Sequence, residues 1–247
     1  MACALEIRAL SYTYKGKESL TVALPELTLR EGETCALTGV SGSGKSTLLE
    51  CLGILRQGFE AQVFTLAGRD LLKASRRQLL LARAALLGFM PQQGGLLPFL
   101  SVRGNYEVAL KLGIKAQRKL GAPCPDPKER LEKAGELSEK LGIASELDKY
   151  PSELSTGQRQ RASFVRAIVH DPKVLLIDEP TSALDPEHAK KLFAELKALT
   201  EHSSLAILTV THDTELVRQN GLEEYAYDRS QSGAARNVFL KRAQEAA

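Results

Sequence analysis

The sequence lacks any uninterrupted apolar stretch long enough to cross a membrane. A spanning helix needs roughly 18–20 consecutive apolar residues, and the longest candidate, residues 79–90, is interrupted by Arg83. The N-terminus has no basic segment ahead of its apolar residues, so we predict no signal peptide. Any role at a membrane must therefore depend on a partner protein.

Cysteine and excess charge are also scarce. The 33 Lys and Arg residues against 30 Asp and Glu leave a net charge of +3, which is too small to indicate a nucleic-acid-binding protein. At 247 residues and 43% hydrophobic content, the chain is typical of a globular protein that needs no disulfide or metal for stability. We interpret the cysteines as reduced thiols of a cytosolic protein, because no metal-binding or redox spacing relates them: Cys3, Cys35, Cys51 and Cys124.

Strand-like and helix-like patterns alternate in most of the chain. Residues 5–38 have the alternation of short strands, and 174–177 is an apolar run of the kind that is buried in parallel sheets. A further strand is predicted at 205–210, and helical patterns cover 71–87, 158–170 and 187–200. Strands that alternate with helices predict a doubly wound α/β core.

The middle of the chain differs from this pattern. Residues 93–158 carry mainly helical composition, and three prolines within 123–127 predict a surface loop. We therefore predict a single domain, residues 1–247, in which a helical subdomain at about 93–158 is inserted into the α/β core.

A glycine-rich motif between a predicted strand and a predicted helix indicates a phosphate-binding loop. Glycines allow backbone N–H groups to approach phosphate oxygens, and the helix N-terminus adds unpaired donors. Lys45 can reach the β- and γ-phosphates, and the Ser46 hydroxyl can bind Mg²⁺. This predicts a nucleoside triphosphate site but does not by itself distinguish a kinase, a GTPase and an ATPase. The motif consists of Gly39, Val40, Ser41, Gly42, Ser43, Gly44, Lys45, Ser46 and Thr47.

Two acidic residues, Asp178 and Glu179, directly follow the apolar run at 174–177. Ligands of open α/β sheets bind at the carboxyl ends of the strands. Asp178 is therefore a candidate Mg²⁺ ligand, and Glu179 is a candidate general base that polarises an attacking water.

Four further segments, taken with these motifs, resemble the ATP-binding-cassette (ABC) ATPases. They occur in the family's order and, with an aromatic at Tyr14, extend the resemblance over nearly the whole chain. The segments are the signature-like Leu154-Ser155-Thr156-Gly157-Gln158, the D-loop-like Ser182-Ala183-Leu184-Asp185, the switch-like Thr211-His212-Asp213 and the Q-loop-like Phe89-Met90-Pro91-Gln92.

The resemblance implies a fold and a set of site residues. The fold is a phosphate-loop NTPase core with a mainly parallel sheet, an N-terminal antiparallel β subdomain and an inserted α-helical subdomain. ATP and Mg²⁺ are the implied cofactors. The implied roles are adenine stacking for Tyr14, metal contact for Ser46, Gln92 and Asp178, catalysis for Glu179 with His212, Gln92 and Lys45, and nucleotide contact for Ser155, Gly157, Gln158 and Asp185.

The resemblance also implies partners and a location. Two ATP molecules would lie at the interface of a head-to-tail dimer with a second copy or a paralogue, because one chain cannot easily turn both helix starts toward one phosphate. The dimer would drive a separate membrane permease from the inner face of the cell membrane, and no nucleic acid is expected. The sequence after Gln92 looks like the bacterial lipoprotein-release and macrolide-export group, which predicts export. An importer, or a cassette ATPase of translation or DNA repair, is the alternative.

Two local features remain to be tested. Thr156 stands where the family's signature has Gly, and a β-branched residue resists a positive φ, so the loop must avoid that conformation or carry strain. We expect an active but tuned site. The apolar segment 94–100 after the Q-loop-like motif is expected to border a groove for a helix of the membrane subunit.

Overall fold

The computed structural model describes residues 2–15, 19–181, 185–201, 203–233 and 236–241. The strands are β1 (Cys3–Thr13), β2 (Thr21–Arg30), β3 (Thr34–Thr38), β4 (Val63–Leu66), β5 (Arg69–Asp70), β6 (Leu87–Met90), β7 (Val174–Asp178), β8 (Ala206–Thr211), β9 (Glu223–Gly233) and β10 (Arg236–Lys241). The helices are α1 (Lys45–Leu52), α2 (Arg76–Leu86), α3 (Val102–Leu120), α4 (Pro127–Lys140), α5 (Thr156–Ile168), α6 (Pro186–Glu201) and α7 (Thr214–Gln219). Within these ranges no helix is both long and apolar enough to span a bilayer.

The strands of the described residues form one mixed sheet in the order β5-β4-β1-β2-β10-β9-β3-β8-β7-β6. Strands β9, β3, β8, β7 and β6 pair in parallel, whereas β5, β4, β1 and β2 pair antiparallel. The predicted fold, a mainly parallel core with an N-terminal antiparallel part, is confirmed. The sequence did not predict the hairpin of β9 and β10, which lies between β3 and β2 and joins the two parts.

Both faces of the parallel strands are buried, and β7 shows why its sequence is a continuous apolar run. Leu176 packs into one apolar cluster with residues of α1 and the N-terminal strands. Leu175 and Ile177 point to the opposite face and pack into a second cluster with residues of α3, α5 and α6. Successive side chains of a strand alternate between faces, so a strand covered on both sides needs apolar residues at every position.

Two predicted boundaries are corrected by local chemistry. Helix α2 begins after Ser75 and not at residue 71, because Ser75 and Gln78 form a reciprocal capping box. It ends before Leu87, which pairs with Val174 as the first residue of β6. The predicted loop at 123–127 ends at Pro127, the first residue of α4, where a proline loses no helical hydrogen bond.

Candidate nucleotide-binding site

The phosphate loop, residues 39–44, connects the end of β3 to the start of α1. Gly44 adopts a φ of 102°, and a Cβ atom there would lie 2.5 Å from Val22 Cγ2 on β2. Only glycine combines this conformation with this close approach. The packing of the loop against β2 therefore requires a glycine directly before α1.

The N-terminus of α1 has no side-chain cap and no acidic residue in its first turn. The six other described helices each begin with a Ser or Asp side chain that accepts a hydrogen bond from a first-turn amide, namely Ser75, Ser101, Asp126, Ser155, Asp185 and Asp213. The first amides of α1 thus retain their capacity to donate, and the helix dipole adds a favourable field for an anion there.

Lys45 is buried beside these amides and is held by the loop itself. Its Nζ donates to the carbonyl oxygens of Gly39 at 2.8 Å and Val40 at 3.1 Å. Burial lowers the pKa of Lys45, and the nearby carboxylates of Glu179 and Asp178 oppose that shift. A phosphate at the start of α1 would give this ammonium group a stronger counter-charge than the two carbonyls provide.

Asp178 ends β7 opposite the start of α1, and its carboxylate suits a hard cation. The Ser46 hydroxyl donates a hydrogen bond to it, and burial, the main cause, raises the pKa of Asp178. Its buried Oδ1 atom has no hydrogen-bond partner among the residues that the structure describes. A carboxylate oxygen and a serine hydroxyl are ligands that Mg²⁺ prefers, so this pair fits the predicted metal site.

Glu179 and His212 lie just beyond the carboxyl ends of the neighbouring strands β7 and β8. His212 Nδ1 lies 2.8 Å from Glu179 Oε2, and in the Nδ1–H tautomer it donates to the ionised carboxylate. Glu179 adopts a φ of 50°, a costly conformation for a residue other than glycine. Its backbone N–H donates to Val210 O at 2.9 Å, and this bond helps to fix the side chain at the edge of the sheet.

The start of α1, Glu179 and His212 surround one cavity of about 600 Å³, and Asp178 lies behind Ser46, outside its lining. The Tyr14 hydroxyl forms a hydrogen bond with Thr47 Oγ1, which holds the ring at the start of α1. The predicted residues that line the cavity are Tyr14, Ser41, Gly42, Gly44, Lys45, Ser46, Thr47, Gln92, Glu179 and His212. The phosphate loop, Gln92, Glu179 and His212, although far apart along the chain, thus meet in one place.

The signature-like residues and Asp185 do not line this cavity. Ser155, Gly157 and Gln158 lie at the start of α5, where the Ser155 side chain accepts from the Gln158 amide. Asp185 accepts hydrogen bonds from the backbone and Nδ1 of His188 in the first turn of α6, and these bonds lower the pKa of its carboxyl. The predicted motif residues Ser182, Ala183 and Leu184 lie outside the described residues.

Thr156 is the first residue of α5 and avoids the conformation that its side chain disfavours. It is not among the described non-glycine residues with positive φ, and its Oγ1 atom accepts a hydrogen bond from Arg159 Nη2 at 3.2 Å. The loop therefore carries no backbone strain at this position.

Two residues that contact the site were missed by sequence reasoning. Gln160 Nε2 donates to the carbonyl oxygen of Glu179 at 3.4 Å, a long bond that links α5 to the end of β7. Asn237 Nδ2, on β10, donates to Ser43 O at 3.0 Å and supports the phosphate loop. Gln160 lies close to the signature-like motif, which offered a signal, whereas Asn237 belongs to no motif.

Comparison with known proteins gives one consistent group of relatives. A methionine import ATP-binding protein of Oceanobacillus iheyensis is 35% identical over 217 residues, which are 87% of this chain and 61% of that protein. The corresponding proteins of Haemophilus influenzae and Rhizobium johnstonii are 37% and 39% identical, and the matches cover 52% and 50% of their lengths. The chain thus spans about half to three fifths of these relatives. They are import proteins and not members of the export group suggested above.

Solved structures and a family model agree with this result. A bacterial ABC transporter cassette in dimeric form matches with a TM-score of 0.78 and 28% identity over 90% of this chain and 93% of that one. A dimeric post-hydrolysis state of an ATP-binding cassette, bound to ADP and phosphate, matches with a TM-score of 0.79 and 27% identity over 97% and 100%. The family model described as ABC transporter matches residues 24–182. This chain therefore belongs to the ABC transporter family.

Proposed function

We propose that the chain binds ATP with Mg²⁺ and hydrolyses it to ADP and phosphate in order to drive a separate membrane permease. One observation carries the proposal: the uncapped start of α1 and the Lys45 ammonium line one cavity together with Ser46, and Ser46 donates to the Asp178 carboxylate, whose Oδ1 atom has no partner among the described residues. Donors for phosphate and a ligand for the metal are thereby assembled before the nucleotide arrives. The related cassette with ADP and phosphate supports the same reaction.

Different residues at the cavity would bind the phosphates, the adenine and the metal. The amides at the start of α1 and the Lys45 ammonium would hold the β- and γ-phosphates, and Tyr14 would stack on the adenine. Ser46, Asp178 and Gln92 would hold Mg²⁺, which supplies charge neutralisation for the phosphates when bound. Lys45 would exchange its bonds to the two loop carbonyls for stronger bonds to phosphate oxygens.

Glu179 would act as the general base. Its carboxylate would accept a proton from the water that attacks the γ-phosphorus, while the loop amides and Lys45 stabilise the charge that develops. The hydrogen bond from His212 Nδ1 holds the carboxylate in place, and His212 would also sense the γ-phosphate. Breaking the β–γ bond gives ADP and phosphate.

We infer that a second copy or a paralogue completes each site. Ser155, Gly157 and Gln158 stand at a helix start but lie outside the cavity of their own chain. A head-to-tail partner would bring them to the γ-phosphate, with Asp185 beside the interface. The dimeric state of the related cassettes supports this arrangement.

A groove between α3, α5 and β6 suits the permease. It has a volume of about 870 Å³ and includes Phe89, Leu112 and Arg166 in its lining. Arg166 donates to Gly95 O and has no carboxylate within ion-pair distance among the described residues, and burial lowers its pKa. Arg56 and Arg83 also line the groove, against one acid, Glu50, in its described lining, so its excess of cations favours a docking helix that carries an acidic group.

The segment 94–100, which the sequence suggested as a groove border, is held rigidly beside this groove. The Asn105 side chain bonds to Leu97 N and O and to Leu100 O. Phe99 is left 71% exposed. A fixed loop that presents an exposed aromatic residue is typical of a protein interface.

Import is the direction that the relatives support, and it replaces export as the main proposal. The relatives named above are methionine import ATPases, so we propose an importer subunit on the cytoplasmic face of the membrane, peripheral through its permease. The cargo would be selected by the permease.

The experiment measures phosphate release from Mg²⁺-ATP and co-purification from membranes. Loss of ATP hydrolysis in the Lys45→Ala variant would support the proposed ATPase activity of this site. Phe99→Asp should keep the ATPase activity but lose a hydrophobic membrane partner, whereas Leu80→Asp, at another exposed apolar position, on α2, should retain that partner. No phosphate release, or equal partner recovery with both Asp variants, would contradict the respective part of the proposal.

A further inference from the structure

A second crevice lies between α3 and α4, away from the nucleotide cavity and the groove above. Its volume is about 600 Å³. Leu110 and Ile114 form its floor and are only 3% and 6% exposed. Leu131 of α4 and Pro127 complete the apolar lining. Nothing in the proposed ATPase cycle uses this surface.

The rim of the crevice is basic and its charge is not compensated. Four exposed cations of α3 line it, and none has a carboxylate within ion-pair distance among the described residues: Lys111, Lys115, Arg118 and Lys119. Glu107 is the one acid in the described lining.

Two lysines of helix α4, unlike the rim cations of α3, have acidic partners. Lys133 lies 2.6 Å from Glu129, and Lys128 lies 3.9 Å from Glu132, so these cations have acidic neighbours on their own helix. Solvated helix faces commonly pair their charges in this way. The described α3 face lacks such pairs at the place where the apolar crevice opens, which indicates that its counter-charges come from elsewhere.

The shape of the crevice restricts the ligand. Lys111 and Lys119 are eight residues apart, which is about 12 Å along a helix. One anionic head group could reach only one or two of these cations, whereas several carboxylates on one elongated ligand could reach all four. A flat bilayer surface would contact the rim but not the recessed floor.

We propose that the α3–α4 crevice binds an acidic amphipathic helix of a partner protein. Its apolar side chains at i, i+4 and i+7 contact Leu110, Ile114 and Leu131. Its flanking carboxylates pair with the cations of the rim. The partner is thus defined by its chemistry: an apolar stripe bordered by Glu or Asp.

The test uses the full chain and a labelled synthetic 16-residue helical peptide with Leu at i, i+4 and i+7 and Glu beside them. Fluorescence anisotropy measures its Kd. We expect Lys115→Glu to weaken binding about tenfold, as lost contact with a carboxylate would, and a peptide with Lys in place of its Glu residues to bind this variant better than the wild type. Lys190→Glu, at an exposed position on α6, is the control and should change the Kd less than twofold.

A second variant tests the apolar half of the proposal. Leu131→Ser should weaken the binding of the peptide, and an unchanged melting temperature and ATPase rate would show that the variant is folded. The proposal is overturned if the peptide fails to bind at 1 mM, if Lys115→Glu and Lys190→Glu behave alike, or if Leu131→Ser has no effect. Vesicles with anionic lipids that bind through Lys115, when the peptide does not, would identify a membrane surface instead.

Discussion

Helices α1 and α5 both begin where a phosphate could be bound, but they satisfy their first amides differently. Helix α1 starts at Gly44 without a side-chain cap. Helix α5 starts at Ser155, whose side chain accepts from Gln158 N while Ser155 N donates to Gln158 Oε1 at 2.8 Å. The first helix start is incomplete without a ligand, whereas the second is complete in a single chain.

This difference would explain how one chain could contribute to two of the proposed sites. The α1 start gains most from an anion in its own cavity, because its donors are otherwise unpaired. The α5 start is stable without a ligand, yet the Ser155 hydroxyl can still donate its own proton outward while its oxygen accepts from Gln158. The α5 start could therefore contact a phosphate that is bound by a neighbouring chain.

The largest expected effect tests the α1 side. Asp178→Asn should reduce Mg²⁺-ATP hydrolysis by about 100-fold or more, because a charged metal ligand is lost. Since burial raises the pKa of Asp178, the ionised form is disfavoured in the fold, and stability linked to this group falls as the pH rises through its pKa. An uncharged amide at this position removes that cost.

We therefore expect the Asp178→Asn variant to melt at a higher temperature than the wild type at neutral pH without nucleotide. Mg²⁺-ATP should raise the melting temperature of the variant less than that of the wild type. Differential scanning fluorimetry with and without the nucleotide measures both. A variant that melts lower yet hydrolyses ATP normally would show that Asp178 is a structural residue.

The next effect tests the α5 side. Ser155→Ala should leave ATP binding by the single chain unchanged but lower turnover about 10- to 100-fold, which corresponds to one hydrogen bond to a charged group. Loss of the cap should also cost about 1 kcal/mol of unfolding free energy. Isothermal titration and phosphate release separate the two readouts.

Ser75→Ala is the matched control, because Ser75 forms the same capping box on α2. It should cost similar stability without the loss of turnover. If both variants lose turnover equally, the α5 start contributes only to folding, and the comparison between the two helix starts fails.

The smallest effect concerns Thr156. Because this residue carries no backbone strain and is exposed beside Ser155, we expect Thr156→Gly to change turnover by only about two- to threefold, less than about 1 kcal/mol in the barrier. Steady-state kinetics and analytical ultracentrifugation measure the rate and the dimer. Equal turnover and dimerisation would show that Thr156 has no tuning role.

The parts of the site that follow a short motif could be predicted from the sequence. The phosphate loop and the pair Asp178 and Glu179 each depend on a few consecutive residues at the end of one strand, so spacing was sufficient. The hairpin of β9 and β10 could not be predicted, because its position between β2 and β3 depends on pairing with distant strands. Asn237 therefore reaches Ser43 across 194 residues without any local signal.

Short strands were also missed, for a related reason. Strands β4, β5 and β6 have four residues or fewer, too few for a clear alternation, and each forms through its neighbours. The resemblance to an export group rested on the short segment after Gln92, which lies beside the groove that we propose for the permease. Similarity over most of the chain, by contrast, favours import.

One measurement tests the central claim most directly, that ATP completes a site made by two chains. Glu179→Gln keeps the side chain's size and removes the base, so ATP should bind and persist. Size-exclusion chromatography with light scattering should then show a dimer with Mg²⁺-ATP and a monomer without nucleotide. A variant that binds ATP but stays monomeric, alone and with its permease, would contradict the account.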